Sequence, residues 1–171
     1  MSDHVTLVQS SFLPKPSRTL IFPDASDDVQ DLLSNHDVPK RINATEKEKK
    51  TIFVECENLK DSIDLYSKVF KNNMVCRYAN YRMFLRITSD TSLYTYDEFK
   101  TFIKNKLHEV IQDVNIMYFK LYQKDNRLTG NGYIVIDKYE DLKLLIKKNF
   151  LCEENNVSFQ LLNFIKKAPT I

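Results

Sequence analysis

Leu128-Thr-Gly-Asn-Gly-Tyr-Ile-Val-Ile-Asp137 holds both glycines of a 171-residue chain. A phosphate-cradling loop or a dinucleotide fingerprint needs several glycines at fixed spacing ahead of a helix, so this distribution removes those functions. Here the glycines run instead into Tyr133-Ile-Val-Ile136, a β-branched and aromatic run that reads as a strand. Working outward, Lys124 to Gly130 reads as the turn before it, and Asn115 to Tyr122 as the strand before the turn. Tyr139 to Lys148 follows as a helix with Leu142, Leu145 and Ile146 inward, and Val157 to Phe164 as a last strand.

Upstream, Met83-Phe-Leu-Arg-Ile87 alternates as a strand does. Thr95-Tyr-Asp-Glu98 is a capping box, and Phe99, Phe102, Ile103, Leu107, Val110 and Ile111 then recur at helical spacing. The order from residue 82 is strand-helix-strand-strand-helix-strand, an α+β, ferredoxin-like βαββαβ unit with an antiparallel sheet. Residues 18–81 repeat that order more faintly. Arg18 to Phe22 is a strand, Ser26 caps a short helix through Val29, Leu32 and Leu33, and a weak strand lies near Pro39–Ala44. Thr51 to Cys56 is a strand, and Asn58 caps a helix to about Phe70 with Ile63, Tyr66 or Leu65, and Phe70 on its stripe. Val75 to Tyr81 is extended. The expected organisation is a flexible arm over 1–17, a degenerate unit over 18–81 and a clearer unit over 82–167, the two units tightly joined.

Composition sets bounds. The 20.2 kDa chain is 43% hydrophobic and 28% charged, as an ordinary globular protein is. A net charge of +2 does not by itself announce nucleic acid. Cys56, Cys76 and Cys152 are widely spaced with no Cys/His cluster, so no metal site is expected and the thiols read as free. His4, His36 and His108 are isolated, and no polar set converges as an enzyme would need. The expectation is a non-catalytic protein without cofactor, metal or membrane span, located in the nucleus or cytoplasm.

Thr129-Gly-Asn-Gly-Tyr-Ile-Val-Ile136 resembles the octamer on the third strand of the RNA recognition motif (RRM), keeping both glycines and Tyr133. Thr129 stands for the leading basic residue, Asn131 for the first aromatic and Ile136 for the last. Met83-Phe-Leu-Arg-Ile-Thr88 resembles the family's hexamer on the first strand, with Phe84 at the stacking position and Ile87 and Thr88 departing from it. In the earlier unit Lys49-Lys-Thr-Ile-Phe-Val-Glu-Cys56 keeps only the leading base and Phe53 of the octamer, and Ile21 replaces the stacking aromatic.

Strand alternation supplies an independent reading of the same face. With Met83, Leu85, Ile87, Met117, Phe119, Leu121, Gly132, Ile134 and Ile136 inward, the open side carries Phe84, Arg86, Tyr118, Lys120, Tyr122, Asn131 and Tyr133. Unpaired bases stack on flat rings while cations meet phosphate, so this mixture suits single-stranded RNA. The expected RNA-binding set is those seven residues with Arg127 from the adjoining turn. The alternative is an RRM-like subunit that docks a protein through its sheet or helices, the degenerate first unit being the candidate surface.

Overall fold

The computed structural model describes residues 15–23, 26–36, 40–44, 51–146 and 148–163. His4, Lys49, Lys50, Phe164 and residues 1–14 of the expected arm lie outside the described residues. Ser17, the last residue of that arm, is fully buried, and its Oγ accepts from the Thr19 N–H at 3.1 Å. The chain divides into two compact units between Ala79 and Asn80.

The first unit runs β1 (Thr19–Phe22), α1 (Asp27–Asn35), β2 (Lys40–Ala44), β3 (Ile52–Cys56), α2 (Leu59–Lys71) and β4 (Arg77–Tyr78). Its antiparallel sheet has the order β2-β3-β1-β4. Ser26 caps α1 by accepting from the Val29 N–H, and Asn58 caps α2 by accepting from Asp61, so each helix starts where a free amide finds an oxygen. Val29, Leu32 and Leu33 enter the core with Leu20, Phe22, Ile52, Val54 and Cys56.

The inward stripe of α2 differs from the expected one. Ser62, Leu65 and Val69 are buried, whereas Ile63 is 41% and Phe70 75% exposed. Ser62 tolerates burial because its hydroxyl donates to the Leu59 carbonyl at 2.9 Å. A polar residue on the inner face disguised that stripe and made Ile63 and Phe70 look like the core.

The second unit runs β5 (Tyr81–Ile87), α3 (Tyr96–Val110), β6 (Ile116–Lys124), β7 (Arg127–Ile136), α4 (Tyr139–Leu145), β8 (Asn149–Cys152) and β9 (Val157–Asn163). The antiparallel order is β6-β7-β5-β9-β8. Both units are thus α+β with the βαββαβ order of ferredoxin-like folds, the second extended by β8. That strand was not expected. It has four residues, of which Phe150 is buried and stacks on Phe159 with ring centroids 4.8 Å apart. Asn156, in the left-handed region at φ 55°, lies in the turn that returns the chain into β9.

Thr95 and Glu98 close the capping box of α3 reciprocally: the Glu98 N–H donates to Thr95 Oγ1 at 3.3 Å, and the Thr95 N–H to Glu98 Oε1 at 3.1 Å. Phe99, Ile103 and Leu107 then lie under the sheet with Met83, Leu85, Ile134, Ile136 and Phe159. The β6–β7 connection is shorter than the expected turn. Only Asp125 and Asn126 lie outside the strands, at φ 53° and 62°, the signs that a two-residue type I′ hairpin requires.

Candidate nucleic-acid interface

The cross-strand register assembles the open face of the second unit row by row. Lys120 pairs with Tyr133, Tyr133 with Phe84, and Phe84 with Leu162, making one row across β6, β7, β5 and β9. On one side, Tyr118 pairs with Val135 and Val135 with Arg82. On the other, Asn131 pairs with Arg86, Arg86 with Gln160, and Gln160 with Asn149. Neighbouring rows on one face are two residues apart, about 7 Å along a strand.

Seven of the eight expected residues belong to this face or its β6 edge. Arg86, Lys120 and Asn131 are exposed, Tyr118 is 47% and Tyr122 37% exposed, and Phe84 and Tyr133 are half-buried. Tyr122 has no partner of its own in the ladder, because the register shifts after Leu121; its ring lies 6.1 Å from that of Tyr133, tilted by 51°. Lys120 Nζ approaches the Tyr122 ring at 6.0 Å. Arg127 stands apart from the Phe84 row. It lies at the start of β7 and lines a groove of about 620 Å³ with Thr91, Thr95, Tyr96, Gln123 and Asn126.

The two glycines have structural roles here. Gly130 adopts φ +88° where the register between β6 and β7 shifts, a conformation that a side chain disfavours. A Cβ on Gly132 would collide with the Lys120 backbone carbonyl. The Gly-x-Gly pair therefore seats β7 against β6 and keeps Lys120 and Tyr133 in one row.

Arg82 was missed. Its guanidinium carbon lies 4.0 Å from the centroid of the Tyr133 ring, so one face of the expected stacking aromatic is covered by a cation. Val135 points to the same open side and is only 6% exposed, in the row between Tyr118 and Arg82. The signal for Arg82 was in the alternation, since residue 82 shares a face with 84 and 86; the expected strand began one residue too late to include it. Gln160 and Asn149 also extend the face beyond expectation, joined by a bond from Gln160 Nε2 to Asn149 Oδ1 at 2.7 Å.

The arrangement offers rings for stacking, cations for anionic groups and side-chain amides for hydrogen bonds. Among the described residues no group of His, Cys, Asp or Glu could hold a metal, and no helix is long and apolar enough to cross a membrane.

No protein-family model matches the sequence, and no curated protein sequence matches it. Solved structures similar to it include a complex of the Sxl-lethal protein with RNA, at 15% identity and a TM-score of 0.35, spanning 85% of this chain and 98% of that one. The C. elegans NONO-1 homodimer is similar at 11% identity and a TM-score of 0.33, over 92% of this chain and 68% of that one. A third is the first two RRM domains of yeast poly(U) binding protein, at 12% identity and a TM-score of 0.31, over 87% and 100%.

Proposed function

We propose that this protein binds single-stranded RNA, without catalysis, on the open sheet face of its second unit, and that it works in the nucleus or cytoplasm. The observation that carries the reading is the row Leu162–Phe84–Tyr133–Lys120, flanked by Arg82 and Arg86 on the same face. An extended single strand can lay unstacked bases on such rings while its phosphates meet the cations, and each stacked base contributes about 1–3 kcal/mol. In this reading Phe84, Tyr118 and Tyr122 stack bases with Tyr133, Asn131 supplies a hydrogen-bonding amide, and Arg86, Lys120 and Arg127 meet backbone charge.

The test is fluorescence anisotropy with short fluorescein-labelled single-stranded RNAs at two salt concentrations, comparing the wild type with Phe84→Ala. Binding that persists near physiological salt and weakens about tenfold in the variant is expected. Equal binding by both proteins would remove this face as the site.

A second reading rests on the first unit. Leu59, Ile63 and Phe70 are exposed along one side of α2, and single-sided apolar exposure of that kind fits a protein partner. Glu55 and Ile21 on that unit's open sheet face suit RNA less well than the rings and cations of the second unit. Phe70→Ser should leave RNA affinity unchanged if the two surfaces serve different partners.

A further inference from the structure

A row of hydrogen-bonding side chains crosses the open face of the second unit beside the row that holds Phe84. It runs Asn131–Arg86–Gln160–Asn149 over β7, β5, β9 and β8. Arg86 and Asn149 are exposed, and Gln160 is half-buried. Gln160 Nε2 donates to Asn149 Oδ1 at 2.7 Å, which fixes how the Gln160 amide is turned. A carboxamide is planar, with its oxygen and nitrogen on opposite branches. With Nε2 toward β8, Oε1 is directed to the other side of β9, where β5 and Arg86 lie.

From β8 toward β5 the row therefore offers the second N–H of Gln160 Nε2, then the Oε1 acceptor, then the guanidinium of Arg86, which only donates. The order is donor, acceptor, donor. Uracil carries the complement on its Watson–Crick edge: the O4 acceptor, the N3–H donor and the O2 acceptor. Cytosine presents an amino donor and two acceptors, guanine an acceptor and two donors, and adenine a donor and an acceptor beside a carbon. None of these three completes all the bonds, and a polar group left unpaired costs affinity. Unstacked bases in single-stranded RNA are read on this edge.

We infer that Gln160 is a specificity-determining residue of the open face, selecting uracil as the base stacked on Phe84, and that Asn149 positions its amide. The inference rests on the RNA-binding reading above and names the base which that site favours. Phe84 pairs with Leu162 across the β5–β9 ladder, so Gln160 is its diagonal neighbour. Diagonal neighbours lie about 7–8 Å apart, within reach of aromatic and long side chains. A base lying flat on the Phe84 ring covers about half of that gap, and a hydrogen bond of about 2.9 Å covers the remainder. The ring holds the base, and the amide beside it tells one base from another.

Labelled oligouridylate and oligocytidylate of equal length test this, because they share backbone and ring size and differ in the edge they present. Anisotropy titrations near physiological salt use the full chain as wild type, Gln160→Met, Asn149→Ala and Phe84→Ala, with thermal melting to confirm that each is folded. The wild type is expected to bind oligouridylate about tenfold more tightly than oligocytidylate. Gln160→Met keeps the length of the side chain without its amide, and should bring that ratio near one by weakening the uridylate complex. Asn149→Ala frees the amide to turn and should lower the same ratio. Asn149 is exposed, so this variant carries the test if Gln160→Met does not fold. A preference for uridylate that survives undiminished in either folded variant would overturn the inference. Equal binding of the two strands by the wild type, with Phe84→Ala weaker on both, would overturn it and leave the RNA-binding reading standing. A wild type that binds neither strand refutes that reading and this one with it.

Discussion

Gly132 lies so close to β6 that a Cβ at this position would collide with the backbone carbonyl of Lys120 and come within 3.1 Å of Leu121 Cα. Backbone atoms in the middle of a sheet cannot step aside as a flexible side chain can. Gly132→Ala should therefore destabilise the second unit by about 1–3 kcal/mol, as overpacking a fitted interior does. Gly130→Ala should cost about 1–2 kcal/mol through its left-handed backbone alone. Urea unfolding followed by circular dichroism measures both.

Phe84 and Leu85 are adjacent and face opposite sides of β5, so truncating each should affect a different property. Leu85 is fully buried in the core, and Leu85→Ala should cost about 2–5 kcal/mol of stability. Phe84 is on the open face, and Phe84→Ala should keep a cooperative melt while RNA affinity falls. Paired melting and anisotropy curves on the two variants check the division.

Thr95 holds the start of α3. Replacing it with alanine leaves the Glu98 amide without its side-chain partner and should cost about 1 kcal/mol. Because the capping box lies off the Phe84 row, RNA affinity should fall far less than in Phe84→Ala. Equilibrium denaturation of Thr95→Ala gives the first value and an RNA titration the second.

Alkaline pH should weaken the first unit. Burial pushes the Cys76 thiol up from 9.0 to about 11. Burial, with the nearby Tyr66, Cys76 and Cys56, pushes the Tyr78 hydroxyl up from 10.0 to about 12. Both groups stay neutral in the folded unit at pH values where the unfolded chain ionises. Their contribution is complete below about pH 9 and is lost as the pH rises through 11 and 12. Phenolate absorbance together with circular dichroism across that range should show the loss, and Cys76→Ala should reduce it at the lower end.

The order of elements was legible where hydrophobic period and local chemistry agreed. Met83, Leu85 and Ile87 alternate inward, and Thr95 with Glu98 forms the capping box that its spacing announced. Legibility failed where a polar residue belongs to the core, as Ser62 does, or where an element is too short to show a period, as β8 is. The candidate face was readable by alternation alone, since outward residues on β5, β6 and β7 follow from their inward neighbours. Contacts between them were not readable. Whether Arg82 lies on Tyr133 depends on register and rotamer, and a single sequence carries neither.

The most direct measurement is anisotropy of the wild type and Phe84→Ala with short single-stranded RNA near physiological salt. The account predicts binding by the wild type and a loss of about tenfold in a variant that still melts cooperatively. No binding by the wild type, or equal binding by the two proteins, would contradict it.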